Sequence, residues 1–388
     1  MLLQSDAAVT PTPEKRVKPP RQSNLELYRI LVMLLIVAHH YVVNSGLAAS
    51  GGPILAAPLS LRSLFLLGFG AFGKIGINCF AMITGYFMCK SRITANKFFK
   101  LLFEVMFYKI VIYTIFLVSG YEAFSLEGLV KALLPVYSIG TGFVGAFLFF
   151  FLCIPFLNIL VGAMNELQHI ALLAVCFLIY VVFGTVPFLT VTMNYVSWLI
   201  VLYFIASYIR LYPKKIYEKT RLWLLLTLGS ILLCLASVAV MTWIGSRVGR
   251  NLSYMFVSDA NTLLAVITAV CSFLLFKNLK MKHHPLINTV AASTFGILLI
   301  HTASETMRRW LWVDLLQNTA MYSSKWLYLH AVGSVLAIFA VCFVIDFLRI
   351  RLLERPFFCL WDRLWARVTA VYTRVRDRLS HRLHTDGE

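Results

Sequence analysis

The chain has 388 residues, 60% hydrophobic and only 13% charged, with a formal net charge of +18. A soluble domain carries about a quarter charged residues, so a chain this apolar, with runs near 20 residues repeated along it, reads as all-α and membrane-spanning. The Lys and Arg excess lies mostly between those runs, where it orients a polytopic protein, and nucleic acid is thereby excluded as the expected partner.

Residues 1–24 are polar, Pro-rich and basic, without the apolar core and small-residue cleavage site of a secretory signal. They read as a disordered segment before an uncleaved first anchor. Runs long enough to cross about 30 Å of hydrocarbon then follow at roughly 25–43, 75–89, 99–119, 143–161, 170–188, 195–211, 222–244, 260–276, 289–307 and 327–348. The expectation is a transmembrane domain over 25–350 with about ten helices, and no gap between runs is long enough for a folded extramembrane domain. With the N-terminus inside, the inner segments hold 25 Lys and Arg and the outer ones 8. That ratio predicts a multi-pass protein of the cell membrane with both termini cytoplasmic.

The eight cysteines lie singly, mostly within apolar runs, with neither CxxC nor Cys/His metal spacing. They read as small buried apolar residues, and no metal is expected. The segment 351–388 is a basic tail. Trp361, Leu364, Trp365, Val368, Tyr372, Val375 and Leu379 recur in it at helical spacing with arginines opposite, the pattern of a helix lying on an anionic lipid surface.

Ionisable residues inside apolar runs are the candidates for chemistry, since each costs about 2.5 to 3.5 kcal/mol in lipid and normally faces protein or an aqueous pathway. At about 100° and 1.5 Å per residue, Arg29 and His40 share one face of the first run, about 16 Å apart. Glu26 falls on that face, one turn before Arg29; His39 points elsewhere and reads as a packing residue. In the ninth run His301 reaches a similar depth, and helical continuation puts Glu305 one turn further on the same face, with Arg308 beyond. Arg29 and His40 are expected to look into one common passage, with His301 beside it. Lys109 reads as lining a pore or an interface.

Four stretches resemble the membrane-bound acyltransferase 3 family. NLELYRILVMLLIVAHH is similar to its opening helix, with Glu26, Arg29 and His40 in the Arg-x10-His frame. GKIGINCFAMITGYFM resembles its second helix through Phe80, Gly85 and Tyr86, with Thr84 in place of the usual Ser. TFGILLIH resembles a late helix through Gly296, Ile297, Leu299 and His301, and LLERPFF a terminal signature through Glu354, Pro356 and Phe357.

The resemblance implies an O-acyltransferase that moves an acyl group, usually acetyl, from cytoplasmic acyl-CoA to a hydroxyl of a cell-surface or exported glycan. On that reading His40 is the general base, and His301 with Glu305 orients it, binds the acceptor or stabilises the oxyanion. Arg29, with Glu26 beside it, and Lys97 and Lys100 meet the CoA phosphates, while Thr84 and Tyr86 lie beside substrate. An acyl-His intermediate is the second mechanism. A secondary transporter or flippase for an anionic or glycan substrate is the other class that places such groups in a bundle interior.

Overall fold

The computed structural model describes residues 21–91, 93–137, 142–187, 189, 193–257, 259–363 and 367. Among them there is no strand. The first twenty residues of the basic N-terminal segment and most of the amphipathic tail lie outside the described residues.

Helix α1 is Ser23–Val43; short α2, Pro53–Ala56, and α3, Leu61–Gly70, lead into α4, Gly73–Met88. Ser60 starts α3 by accepting the Ser63 backbone N–H, satisfying one of the orphan donors of a first turn. Helices α5, Ala95–Val118, α6, Leu126–Leu133, α7, Phe143–Ala163, and α8, Glu166–Cys176, follow. Asn165 and Gln168 form a reciprocal capping box at the start of α8, which satisfies backbone donors of its first turn. A π-helical turn over Phe177–Val182 joins α8 to α9, Phe183–Thr185.

Helix α10 is Tyr195–Leu211, capped by Asn194. Helix α11, Thr220–Val248, ends on Gly249 at φ 67°, a left-handed stop that glycine adopts without steric cost. Helix α12 is Leu263–Asn278; α13, Pro285–Ala292, has Pro at its first turn, where no N–H is needed. Helices α14, Thr294–His301, α15, Glu305–Arg309, α16, Asn318–Met321, and α17, Leu327–Arg349, complete the order, with a π-helical turn over Ile350–Glu354.

Every apolar run expected from the sequence carries a helix. Seven helical stretches are long and apolar enough to cross a membrane: Ser23–Val43, Leu61–Met88, Ala95–Val118, Phe143–Ala163, Glu166–Thr185, Thr220–Val248 and Leu327–Arg363. The pair Pro285–His301 and Glu305–Met321 makes an eighth if counted as one span, and α10 and α12 are shorter apolar helices. The pair is bent by 96°. The cause is local: Ser304 caps α15 by accepting from Met307 N–H, and Thr302 folds its hydroxyl back onto the Leu298 carbonyl.

Helix α1 sits at the centre, packed against α3, α4, α12, α13, α14 and α17, while α4 also packs on α10 and α12. Burial separates core from rim: 56% of the apolar window of α1 is buried, against 11% for Glu166–Thr185, so the latter presents its apolar surface outward. One end of the bundle gathers the start of α1, the end of α12, the start of α13 and the end of α17. Asn24 donates there to the carbonyls of Phe276 and Lys277, and Ser23 to Asn288. The opposite, far end holds the close of α1 and the start of α17, tied by Tyr41 and His330 at 2.8 Å.

Candidate functional site

Two histidines from different helices meet near the far end. His301, the last residue of α14, is fully buried, and its Nδ1 lies 2.6 Å from its own-helix carbonyl of Ile297. A carbonyl only accepts, so this nitrogen carries the hydrogen. In the neutral ring Nε2 is then an acceptor, and it stands 2.9 Å from Nδ1 of His40. His40 therefore donates through Nδ1 and keeps a lone pair on Nε2. The hydrogen bond between the rings thus holds His40 in one tautomer, an arrangement able to serve a positioned proton acceptor.

His39 has a different task. It is 8% exposed, and its Nδ1 donates to the carbonyl of Gly70 at 2.6 Å, fixing α1 to the end of α3. Helix α4 starts so close by that a Cβ on Gly73 would lie 2.2 Å from the His39 Cβ. This corner is packing, and α1 points adjacent His39 and His40 to different partners, the Gly70 carbonyl and the His301 ring.

Arg29 lies nearer the other end of α1. Its NH1 is 3.3 Å from Glu26 Oε2, its guanidinium sits 5.7 Å from the centre of the Phe80 ring, and its Nε is buried with no hydrogen-bond partner among the described residues. Glu26 also approaches Arg21 at 4.0 Å. Phe80, Phe147 and Phe295 pack ring to ring at 5.4 to 6.3 Å between centres, and Phe295 lies six residues before His301, about 9 Å along α14. Met33 and Val37 on α1 are fully buried. Arg29 and His40 are both part-exposed, and two cavities lie at the opposite ends of the bundle.

The break after His301 corrects the placement of Glu305. It does not continue the His301 face: it opens α15, pairs with Arg308 at 2.6 Å, and its side chain is 84% exposed. With Asn44, Gly46, Arg308 and Arg309 it lines a far-end cavity of about 260 Å³, one turn of α1 beyond His40.

The remaining expected residues are dispersed. Lys97 donates to Ser91 at 2.9 Å, and Lys100 rests on the Phe358 ring at 5.0 Å. Thr84 turns its hydroxyl onto the Phe80 carbonyl of its own helix, while buried Tyr86 accepts from Arg210 at 2.8 Å. Lys109 reaches the Lys131 carbonyl at 3.4 Å. No group of three His, Cys, Asp or Glu able to hold a metal occurs among the described residues.

A buried charge cluster escaped the sequence reading. Arg349 bonds Asp346 at 2.9 Å and Glu354 at 2.7 Å and pairs with Glu104 at 3.2 Å, while Tyr108 donates to the same Asp346 oxygen at 2.8 Å. Arg349 and Asp346 are 3% and 0% exposed, so the cluster is a lock between α5 and α17. The π-helical turn makes the contact to Glu354 five residues on. Ionisable residues inside two apolar runs were the available signal.

The acyltransferase 3 sequence profile, described as an acyltransferase domain, matches residues 22–347. No curated protein and no solved structure matches the chain. The match covers the helices that carry Arg29, His40 and His301 and nearly the whole described bundle, and so the chain belongs to the acyltransferase 3 family and is a multi-pass membrane acyltransferase.

Proposed function

We propose that the protein is an O-acyltransferase that takes an acyl group, in the first instance acetyl, from cytoplasmic acyl-CoA and transfers it to a hydroxyl of a cell-surface or exported glycan. The bundle crosses the membrane ten times with both termini cytoplasmic, α10, α12 and the bent α13–α16 segment each counting as crossings. The charge asymmetry between alternate loops supports that orientation.

The observation that carries the reading is the free Nε2 of His40, set by the hydrogen bond from its Nδ1 to His301. In the proposed step Nε2 takes the proton of the acceptor hydroxyl, the oxygen attacks the thioester carbonyl, the carbon–sulfur bond breaks, and the departing thiolate takes the proton back from His40. His301 is a positioning residue: it holds the tautomer and supports the ring while it carries charge. Arg29 offers its unpartnered Nε and its fork to a donor phosphate, with Glu26 aiming it and Lys97 and Lys100 near the donor mouth. The rings of Phe80, Phe147 and Phe295 part to admit the thin apolar arm of the donor. Thr84 and Tyr86 meet that arm after giving up their present bonds. The acceptor enters through the far-end cavity, where Glu305 and Arg308 bind its hydroxyls.

Inside-out vesicles that carry the protein and hold native acceptor on their luminal face, supplied with radiolabelled acetyl-CoA, test this. Release of free CoA with label in the glycan fraction is expected, and His40→Gln abolishes both. An intact thioester in the wild-type vesicles removes the acyl-CoA donor from the reading, and glycan movement without thioester consumption substitutes a transporter for it.

A further inference from the structure

A second cavity, of about 340 Å³, opens at the end of the bundle opposite the far-end mouth, between the segment entering α1, helix α13 and the close of α17. Its basic lining is Arg21, His283, Arg351 and Arg355, and no carboxylate lines it among the described residues, although Glu26 stands 4.0 Å from Arg21. Three guanidinium groups lining one cavity favour an anion there.

Two buried groups in the wall point the same way. Asn288 is 8% exposed and Ser293 0%, both line the cavity, and the Asn288 Nδ2 and Ser293 Oγ atoms have no hydrogen-bond partner among the described residues. Ser23 Oγ accepts from the His284 N–H at 2.8 Å and donates to Asn288 Oδ1 at 3.0 Å, and in that arrangement Nδ2 is the amide's free group. A buried donor without an acceptor is destabilising, and an acceptor-rich ligand in this cavity removes that cost.

We propose that this cavity is a phosphate-binding site. A phosphate monoester or diester supplies both the negative charge for Arg351, Arg355 and Arg21 and several oxygens for the Asn288 amide and the Ser293 hydroxyl. The volume, near the lower limit of ordinary ligand pockets, suits a headgroup or one end of a nucleotide. Such a phosphate has two sources: the nucleotide portion of a soluble ligand such as the acyl donor, or the headgroup of an anionic phospholipid. The site stands on its own residues and does not depend on the chemistry proposed for His40.

The test is equilibrium binding to the purified full chain in detergent, with adenosine 3′,5′-bisphosphate against adenosine in one arm and short-chain phosphatidic acid against the matching diacylglycerol in the other. Arg351→Gln/Arg355→Gln and Ser293→Ala are compared with wild type, with thermal melting as the folding control. At least one phosphorylated probe should bind ten-fold or more tightly than its unphosphorylated counterpart. That preference should fall at least ten-fold in the double variant and several-fold in Ser293→Ala, with melting unchanged. A nucleotide preference assigns the site to a soluble donor, and a lipid preference to the bilayer. Equal binding of both members of each pair, or a preference untouched by the arginine substitutions, overturns the proposal.

Discussion

His40 Nδ1 stands 2.9 Å from His301 Nε2, and among the described residues the one nitrogen of the pair left without a partner is the Nε2 of His40. His40→Ala therefore leaves folded protein in the membrane and lowers acyl transfer by about 100-fold to 10,000-fold, the range of a lost general base. His301→Gln, whose amide oxygen can still accept from Nδ1, is expected to retain more activity than His301→Ala. Turnover per mole of folded protein in labelled acyl-CoA assays reads the difference, and equal loss in both variants argues against a tautomer-holding role.

His39→Ala is the control. It removes a buried bond to the Gly70 carbonyl and opens space against α4, so melting should drop by about 1 to 3 kcal/mol of stability. Turnover of the folded fraction should stay within about two-fold of wild type.

Arg29→Ala acts on the donor. Loss of a charge-assisted contact of about 1.5 to 3 kcal/mol raises the apparent acyl-CoA KM about 10-fold to 100-fold, with a smaller change in kcat. An unchanged KM removes Arg29 from the phosphate contacts.

Gly296→Ala tests the packing of α14 on α17. A Cβ there would fall 2.2 Å from Asp346 Oδ1, so one helix must shift, and overpacking of this kind costs about 1 to 3 kcal/mol. Arg349→Met is expected to be worse, about 3 to 5 kcal/mol, because Asp346, Glu104 and Glu354 are left facing one another without their cation. Thermal melting in one detergent ranks them, and Arg349→Met no less stable than Gly296→Ala overturns the lock.

Orientation is checked by single-cysteine labelling in a cysteine-free background. Lys215→Cys and Lys325→Cys are expected to react with an impermeant reagent from opposite faces, Lys215 only after the cytoplasmic side is exposed.

The helices and the face shared by Arg29 and His40 were legible because both follow from apolar run length and a period of 3.6. The bend after His301 was not, because the residues from 302 to 304 are small and interrupt no apolar run. Ser304 shows itself as a cap only once its hydroxyl meets the Met307 N–H, and the bend at this break takes Glu305 off the histidine face to the cavity rim. The Asp346–Arg349–Glu104 lock was hidden for a different reason. Its members are scattered over two helices, and Asp346 and Arg349 pass for the polar margin of a span when read along the chain.

The π-helical turn at Ile350–Glu354 sets the bearing of everything that follows it. Its extra residue lets Glu354 meet Arg349 five positions on and delivers Phe357 and Phe358 to the ring of Phe103. Excising one residue from 350–353 would return the turn to α register and swing the downstream chain by about 100°. The carboxylate would leave its guanidinium and both phenyl groups would lose their seat, so the junction tolerates substitution far better than a change of length.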